Sequence, residues 1–128
     1  MAKNKFDSPV YDLKLNQGDD KYFQITIKDG SMNPVDITGY EFRCKAKTSA
    51  EDADVLFKAE PEILDATNGI VRFHFKDEDT QKIDTDGDNY SVTSSYTYDV
   101  LMKDTNGDVT RLVNGTIYVS PGVSWDND

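Results

Sequence analysis

The chain has 128 residues, with 24 Asp and Glu against 14 Lys and Arg, a formal charge of −10 and a sequence pI near 4.4. That length sets one domain as the expectation, and that charge excludes the common way of binding phosphate backbones or anionic membrane surfaces, which relies on Lys and Arg. Cys44 is the one cysteine, which excludes an internal disulfide and a cysteine-based metal cluster.

Residues 1–10, MAKNKFDSPV, read as an extended arm with no apolar stretch of signal-peptide length, so synthesis in a cytoplasm is expected. No apolar run along the chain reaches membrane-spanning length. From Tyr11 onward the dominant period is two, and strands are expected near 11–16, 21–28, 40–47, 54–60, 70–76, 90–103 and 108–120. Phe23, Ile25 and Ile27 alternate with Tyr22, Gln24 and Thr26 after a turn at Gln17–Asp20. A second turn, Asp29-Gly30-Ser31-Met32-Asn33-Pro34, leads to Tyr40, Phe42, Cys44 and Ala46 alternating with Glu41, Arg43, Lys45 and Lys47.

A helical turn is expected somewhere in 49–54. Past the turn at Thr67-Asn68-Gly69, Val71, Phe73 and Phe75 alternate with Arg72, His74 and Lys76, and a single helical turn is expected in 77–83. Tyr96, Tyr98, Val100 and Met102 then alternate with Thr97, Asp99, Leu101 and Lys103, with Ser94-Ser95 marking a bend or interruption in a long strand. Asn114-Gly115 inside the last strand predicts a β-bulge, because an isolated glycine weakens pairing there. Strand, turn and strand at regular spacing predict an all-β, antiparallel Ig-like β-sandwich of about seven strands. Its expected divisions are an N-terminal arm at 1–10, one domain at 11–120 and a C-terminal arm at 121–128.

Two stretches raise the question of calcium: Asp84-Thr85-Asp86-Gly87-Asp88 and Asp104-Thr105-Asn106-Gly107-Asp108. A calcium loop needs oxygen ligands at positions 1, 3 and 5, a glycine at 6 and a bidentate Glu at 12. Counted from Asp84, those last two positions are Asn89 and Ser95; counted from Asp104, they are Val109 and Gly115. Neither copy qualifies. The second reads as a hairpin turn, because Asn-Gly sits between alternating segments. The first reads as a surface loop, with convergence of Asp84, Asp86 and Asp88 on a cation as its competitor.

His74 is the one histidine and sits on the polar face of its strand, whereas Cys44 sits on an apolar face. Ordinary strand positions for both argue against a Cys-His nucleophile pair. Neither G-x-S-x-G nor a phosphate-cradling glycine loop occurs. The expectation is a non-enzymatic protein with no catalytic residue, no cofactor and no metal.

The segment YDLKLNQGDDKYFQITIKDGSMNPVDITGYEFRCKAK, with Tyr98-Asp99-Val100 and the run from Asn106-Gly107 through Arg111-Leu112 to Gly115-Thr116-Ile117-Tyr118-Val119-Ser120-Pro121, resembles a family of small β-sandwich virion structural proteins of tailed bacteriophages. The resemblance covers most of the chain but not 48–69 or 84–97, and its motifs are structural punctuation. It implies a structural or adaptor protein at a phage tail or baseplate, of tail-tip or fibre-attachment type. Such a protein would assemble with other virion structural proteins, oligomeric in the particle, without direct contact to nucleic acid or membrane. It would be made in the host cytoplasm and located in the virion. A capsid decoration or carbohydrate-binding module is the alternative, with Tyr90, Tyr96 and Tyr118 as stacking groups.

Expected interface residues are Phe6, Val10 and Tyr11 at the N-terminal end, Asp84, Asp86 and Asp88 in the distinctive loop, and Val123 and Trp125 at the C-terminal end. Aromatic anchors such as Trp125 are favoured as interface hot spots.

Overall fold

The computed structural model describes residues 2–3, 9–48, 57–83 and 94–122. Within them the chain is all-β. Strands β1 (Ala2–Lys3), β2 (Pro9–Val10), β3 (Leu13–Asn16), β4 (Lys21–Thr26), β5 (Glu41–Lys47), β6 (Phe57–Asp65) and β7 (Ile70–Phe75) precede one helical turn, α1 (Asp77–Thr80). Strands β8 (Ser94–Lys103) and β9 (Val109–Ser120) follow it. The expected helical turn within 77–83 is therefore present, while that at 49–54 lies outside the described residues.

Pairing organises the strands about β9. On one side of it β8 runs antiparallel, followed by β5. On the other side β2 and β3 run parallel to it, with Val10 opposite Asn114 and Leu13–Asn16 opposite 117–120. The sheet is thus mixed, which departs from the expected purely antiparallel arrangement. The segment read as an N-terminal arm also contributes two short strands, β1 pairing with β2 and β2 with β9.

Strand β6 is shared. Its residues 57–59 pair with β5, and its residues from Glu60 to Asp65 pair with β7, which pairs in turn with β4. It runs past the expected end near residue 60, because Ile63 and its neighbours find a second partner in β7. Pro61 is tolerated in this strand because β6 pairs only with β7 there, leaving its other edge without a ladder that needs an N–H.

Alternation places the core. Phe42, Cys44 and Ala46 of β5 are buried while Glu41, Arg43 and Lys45 are exposed, and Val71, Phe73 and Phe75 of β7 have no solvent exposure. Leu13 and Leu15 of β3, Tyr96, Tyr98 and Val100 of β8, and Ile117 and Val119 of β9 join the same cluster. Aromatic rings of β5 and of the start of β6 meet rings of β7 edge-on: Phe42 meets Phe73 at 6.3 Å and Phe57 meets Phe75 at 5.7 Å between ring centroids. Each buried ring contributes about 2–3 kcal/mol of transfer free energy, so these contacts hold the curled sheet together.

Ser94 and Ser95 open the described part of β8, paired with Val119 and Tyr118, and the residues just before them lie outside the described residues. One feature of the long strands differs from expectation: the bulge is not at Gly115. The irregularity lies elsewhere: Val100 faces Val113 but Leu101 faces Arg111, so Leu112 is the extra residue of a bulge. Gly115 is regular in register and serves another purpose. A Cβ there would collide with the Tyr11 carbonyl oxygen, so glycine is what lets the N-terminal backbone cross β9.

Candidate interaction surfaces

Of the expected interface residues, Phe6, Asp84, Asp86, Asp88, Val123 and Trp125 lie outside the described residues. Val10 is half-buried in β2. The Tyr11 N–H donates to the Asn114 carbonyl at 2.9 Å, and the Tyr11 carbonyl accepts from the Tyr98 hydroxyl at 2.6 Å. Asp12 adds a third tie by accepting the Thr116 N–H at 2.9 Å. Backbone at Tyr11 is therefore committed to the domain itself, while its side chain, 51% exposed, remains available for contact. Burial, with Cys44 next in effect, holds the Tyr98 phenol well above its ordinary pKa, so it stays a neutral donor in this tie.

The two candidate chemistries resolve by position. Cys44 is buried in β5, where desolvation first and the Asp99 charge second push its thiol up to about 12. A thiol held there is not a nucleophile at neutral pH. His74 belongs to β7, and its Nε2 lies 2.7 Å from the Asp20 carboxylate. In the 104–108 turn Asp104 Oδ1 accepts the N–H groups of Asn106 and Asp108, both at 2.9 Å, and Gly107 takes φ 88°. The carboxylate is spent on its own loop, as a hairpin turn requires. Among the described residues no three acidic, histidine or cysteine side chains converge on a metal-sized site.

The outward face of β6, β7 and β4 is internally satisfied. Register sets Tyr22 opposite His74 and Arg72 opposite both Gln24 and Glu62. The Tyr22 and His74 rings stack at 4.1 Å, and the Arg72 guanidinium lies 4.8 Å from the Tyr22 ring centroid while bonding Glu62 at 2.6 Å. Lys76 reaches Glu60 at 3.0 Å, which, as hydrogen bond first and charge second, raises the lysine pKa. Asp20 accepts the Asp77 N–H at 3.0 Å beside His74, and these two bonds, His74's the larger, hold its carboxyl below its ordinary range.

The outward face of β5, β8, β9 and the first residues of β6 is different in kind. Lys45 stands opposite Lys58 across β5 and β6, with Arg43 two residues along and exposed. Lys47 and, across the bulge, Arg111 extend the same basic surface. Asp99, opposite Lys45 on β8, lies within this surface 3.8 Å from Arg111, and Glu41 and Glu60 stand at its edges. Open depressions of about 280 Å³ and about 350 Å³ flank Lys45, the first bordered by Arg43 and Lys58 and the second by Lys47 and Arg111. Sequence alternation places Arg43, Lys45 and Lys47 on one face, but the register that adds Lys58 is set by tertiary pairing.

The stacking groups of the glycan alternative are not brought together. Tyr96 is 8% exposed and packs edge-on against Phe57 at 5.5 Å, Tyr118 is half-buried on β9, and Tyr90 lies outside the described residues. The described surface offers Tyr11 and Tyr22 instead, and the Tyr22 ring is already engaged by His74 and Arg72. No helix among the described residues is long and apolar enough to cross a membrane.

No family model matches the chain, and no curated protein matches it. Among solved structures the chain is similar to murine CRIg at 12% identity and a TM-score of 0.37, over 88% of this chain and 92% of that one.

Proposed function

We propose that the chain is a non-enzymatic structural or adaptor protein of a tailed-phage virion, built as an Ig-like β-sandwich and acting by protein–protein assembly at the tail or baseplate. The observation that carries this reading is where the resembling motifs fall. Asp29-Gly30 and Pro34–Tyr40 form the connection from β4 to β5, in which Ile37 is fully buried. Asp36 caps that connection by accepting the Thr38 N–H at 3.0 Å and its hydroxyl at 2.6 Å. Gly115–Ser120 is the part of β9 that carries the N-terminal strands. The resemblance therefore concerns the frame. The sandwich reading draws on the shared strand β6, which joins β5 to β7 so that β3–β9–β8–β5 and β6–β7–β4 can face each other across the aromatic contacts.

Function in this reading is geometric: a rigid frame presents its outer faces and ends to neighbours. The test is quantitative mass spectrometry of purified particles from a phage encoding the chain, with tails separated from heads. Stoichiometric recovery in the tail fraction is expected. Recovery only from the lysate and never from particles would overturn the proposal, and recovery with heads would move it to the capsid surface.

A further inference from the structure

We infer that the outward face of β5, β8 and β9 with the start of β6 receives the acidic end of a second copy of this chain, so that copies associate head to tail. The chain carries a net charge of −10, yet Arg43, Lys45, Lys58 and Arg111 are gathered on one face, where the described carboxylates are Asp99, Glu41 and the Lys76-bonded Glu60. Like charges directly opposite across a strand pair are destabilising, and Lys45 with Lys58 is such a pair. Arg43, Lys45 and Lys58 have no ion-pair partner among the described residues, whereas Arg72, Lys76 and Arg111 each have one. Of the acids bordering the patch among the described residues, Glu60 is taken by Lys76, and Glu41, on the same face of β5, stands opposite Lys103.

The complementary surface is on the same molecule. Asp19 and Asp20 follow β3, and Asp77, Glu78 and Asp79 form α1. The two segments are held together: the Thr80 hydroxyl donates to the Asp19 carbonyl at 2.7 Å and the Asp77 N–H to Asp20. Lys21, Lys76 and Lys82, all adjacent in sequence, offset only part of that charge. Two copies of so acidic a chain repel unless positive surface is included in their contact, and the basic face supplies it. A face meeting an end is a heterologous contact, which closes into a ring or continues as a chain. The inference rests on charge placement alone, so its failure would leave the virion proposal standing.

Sedimentation velocity tests it on the full chain, with three proteins at low and high salt. The wild type should associate at about 0.05 M salt and dissociate near 1 M, where the screening length falls to about 3 Å. Arg43→Glu/Lys58→Glu and, separately, Glu78→Lys/Asp79→Lys should each lose association at least about ten-fold. Circular dichroism checks that both remain folded. Mixed together, the two variants should form a one-to-one heterodimer, because one keeps its acidic end and the other its basic face. A monomeric wild type at low salt overturns the inference, as does association that survives Arg43→Glu/Lys58→Glu. A monomer that instead binds poly-glutamate through this face overturns self-contact in favour of a foreign acidic partner.

Discussion

The two outward faces of this domain are built from the same kind of sequence and reach opposite electrostatic states. On β7 and just past its end, Arg72, His74 and Lys76 alternate with buried Val71, Phe73 and Phe75; on β5, Arg43, Lys45 and Lys47 alternate with buried Phe42, Cys44 and Ala46. Neighbouring strands make the difference. Strand β7 lies between Glu60 and Glu62 on one side and Tyr22 on the other, so its cations are bonded or stacked. Strand β5 lies between Lys58 on one side and Asp99 and Leu101 on the other, leaving an excess of positive charge. A finished face stabilises its own sheet; an unfinished one is prepared for something else.

Substitutions can break or sharpen that contrast. The largest effect is expected from Gly115→Ala, which undermines the frame of the β9 face while leaving the β7 face intact. Its methyl would collide with the Tyr11 carbonyl, and a loss of about 2–3 kcal/mol is expected in urea unfolding. Amide exchange should quicken at Tyr11 and along β3 but not along β4 and β7. Uniform loss of protection would show instead that the crossing is inseparable from the whole core.

Next comes Arg72→Glu, which removes the Glu62 bond and the contact with Tyr22 and sets two carboxylates opposite each other. A cost of about 1–2 kcal/mol follows, read as a lower Tm. The matching reversal on the other face, Lys58→Glu, should act with the opposite sign. It turns a like-charge pair with Lys45 into an attractive one, and a gain of about 0.5 kcal/mol is expected. If both reversals destabilise, the contrast between the faces fails.

The smallest effect concerns pH. Asp20 has its carboxyl lowered by His74 and the Asp77 N–H, so its contribution is present above the unfolded value near pH 4 and is lost as pH falls through the lower folded value. The Tm deficit of Asp20→Asn should therefore be full at neutral pH and close below about pH 4. A deficit unchanged at low pH would mean that the ionised carboxylate is not what matters.

Much of the frame was legible because burial follows a period of two, so strands and their inward residues could be read from Phe23, Phe42, Phe73 and Tyr98. Pairing could not be read. Nothing local in Leu13–Asn16 tells that it runs parallel to β9, or in Phe57–Asp65 that it serves two partners. Asn114-Gly115 suggests a bulge by its glycine, but the adjacent apolar residues Leu112 and Val113, which break the alternation, mark the actual position.

Turns show the same limit. Asp104–Asp108 was readable from Asn-Gly, yet Asp29–Asn33 adopts matching bonds: Asp29 Oδ1 accepts the Ser31 and Asn33 N–H groups at 2.8 and 3.0 Å. Met32, at φ 66°, occupies the place that Gly107 takes in the other turn. The leading aspartate organises both loops, and glycine merely lowers the strain. As for the surface, charge composition pointed to an acidic molecule, and the basic face emerged only when register set Lys45 opposite Lys58.

The parallel ladder between β3 and β9 has a mechanical meaning. The chain enters that ladder at Leu13, opposite Ile117, and leaves it at Ser120, opposite Asn16. Tension applied through the two ends of the chain therefore pulls the strands past each other along their length. Every rung is loaded in shear at once, with no end from which the ladder can be peeled. For a component held between neighbours by its ends, that short ladder is where force would be carried.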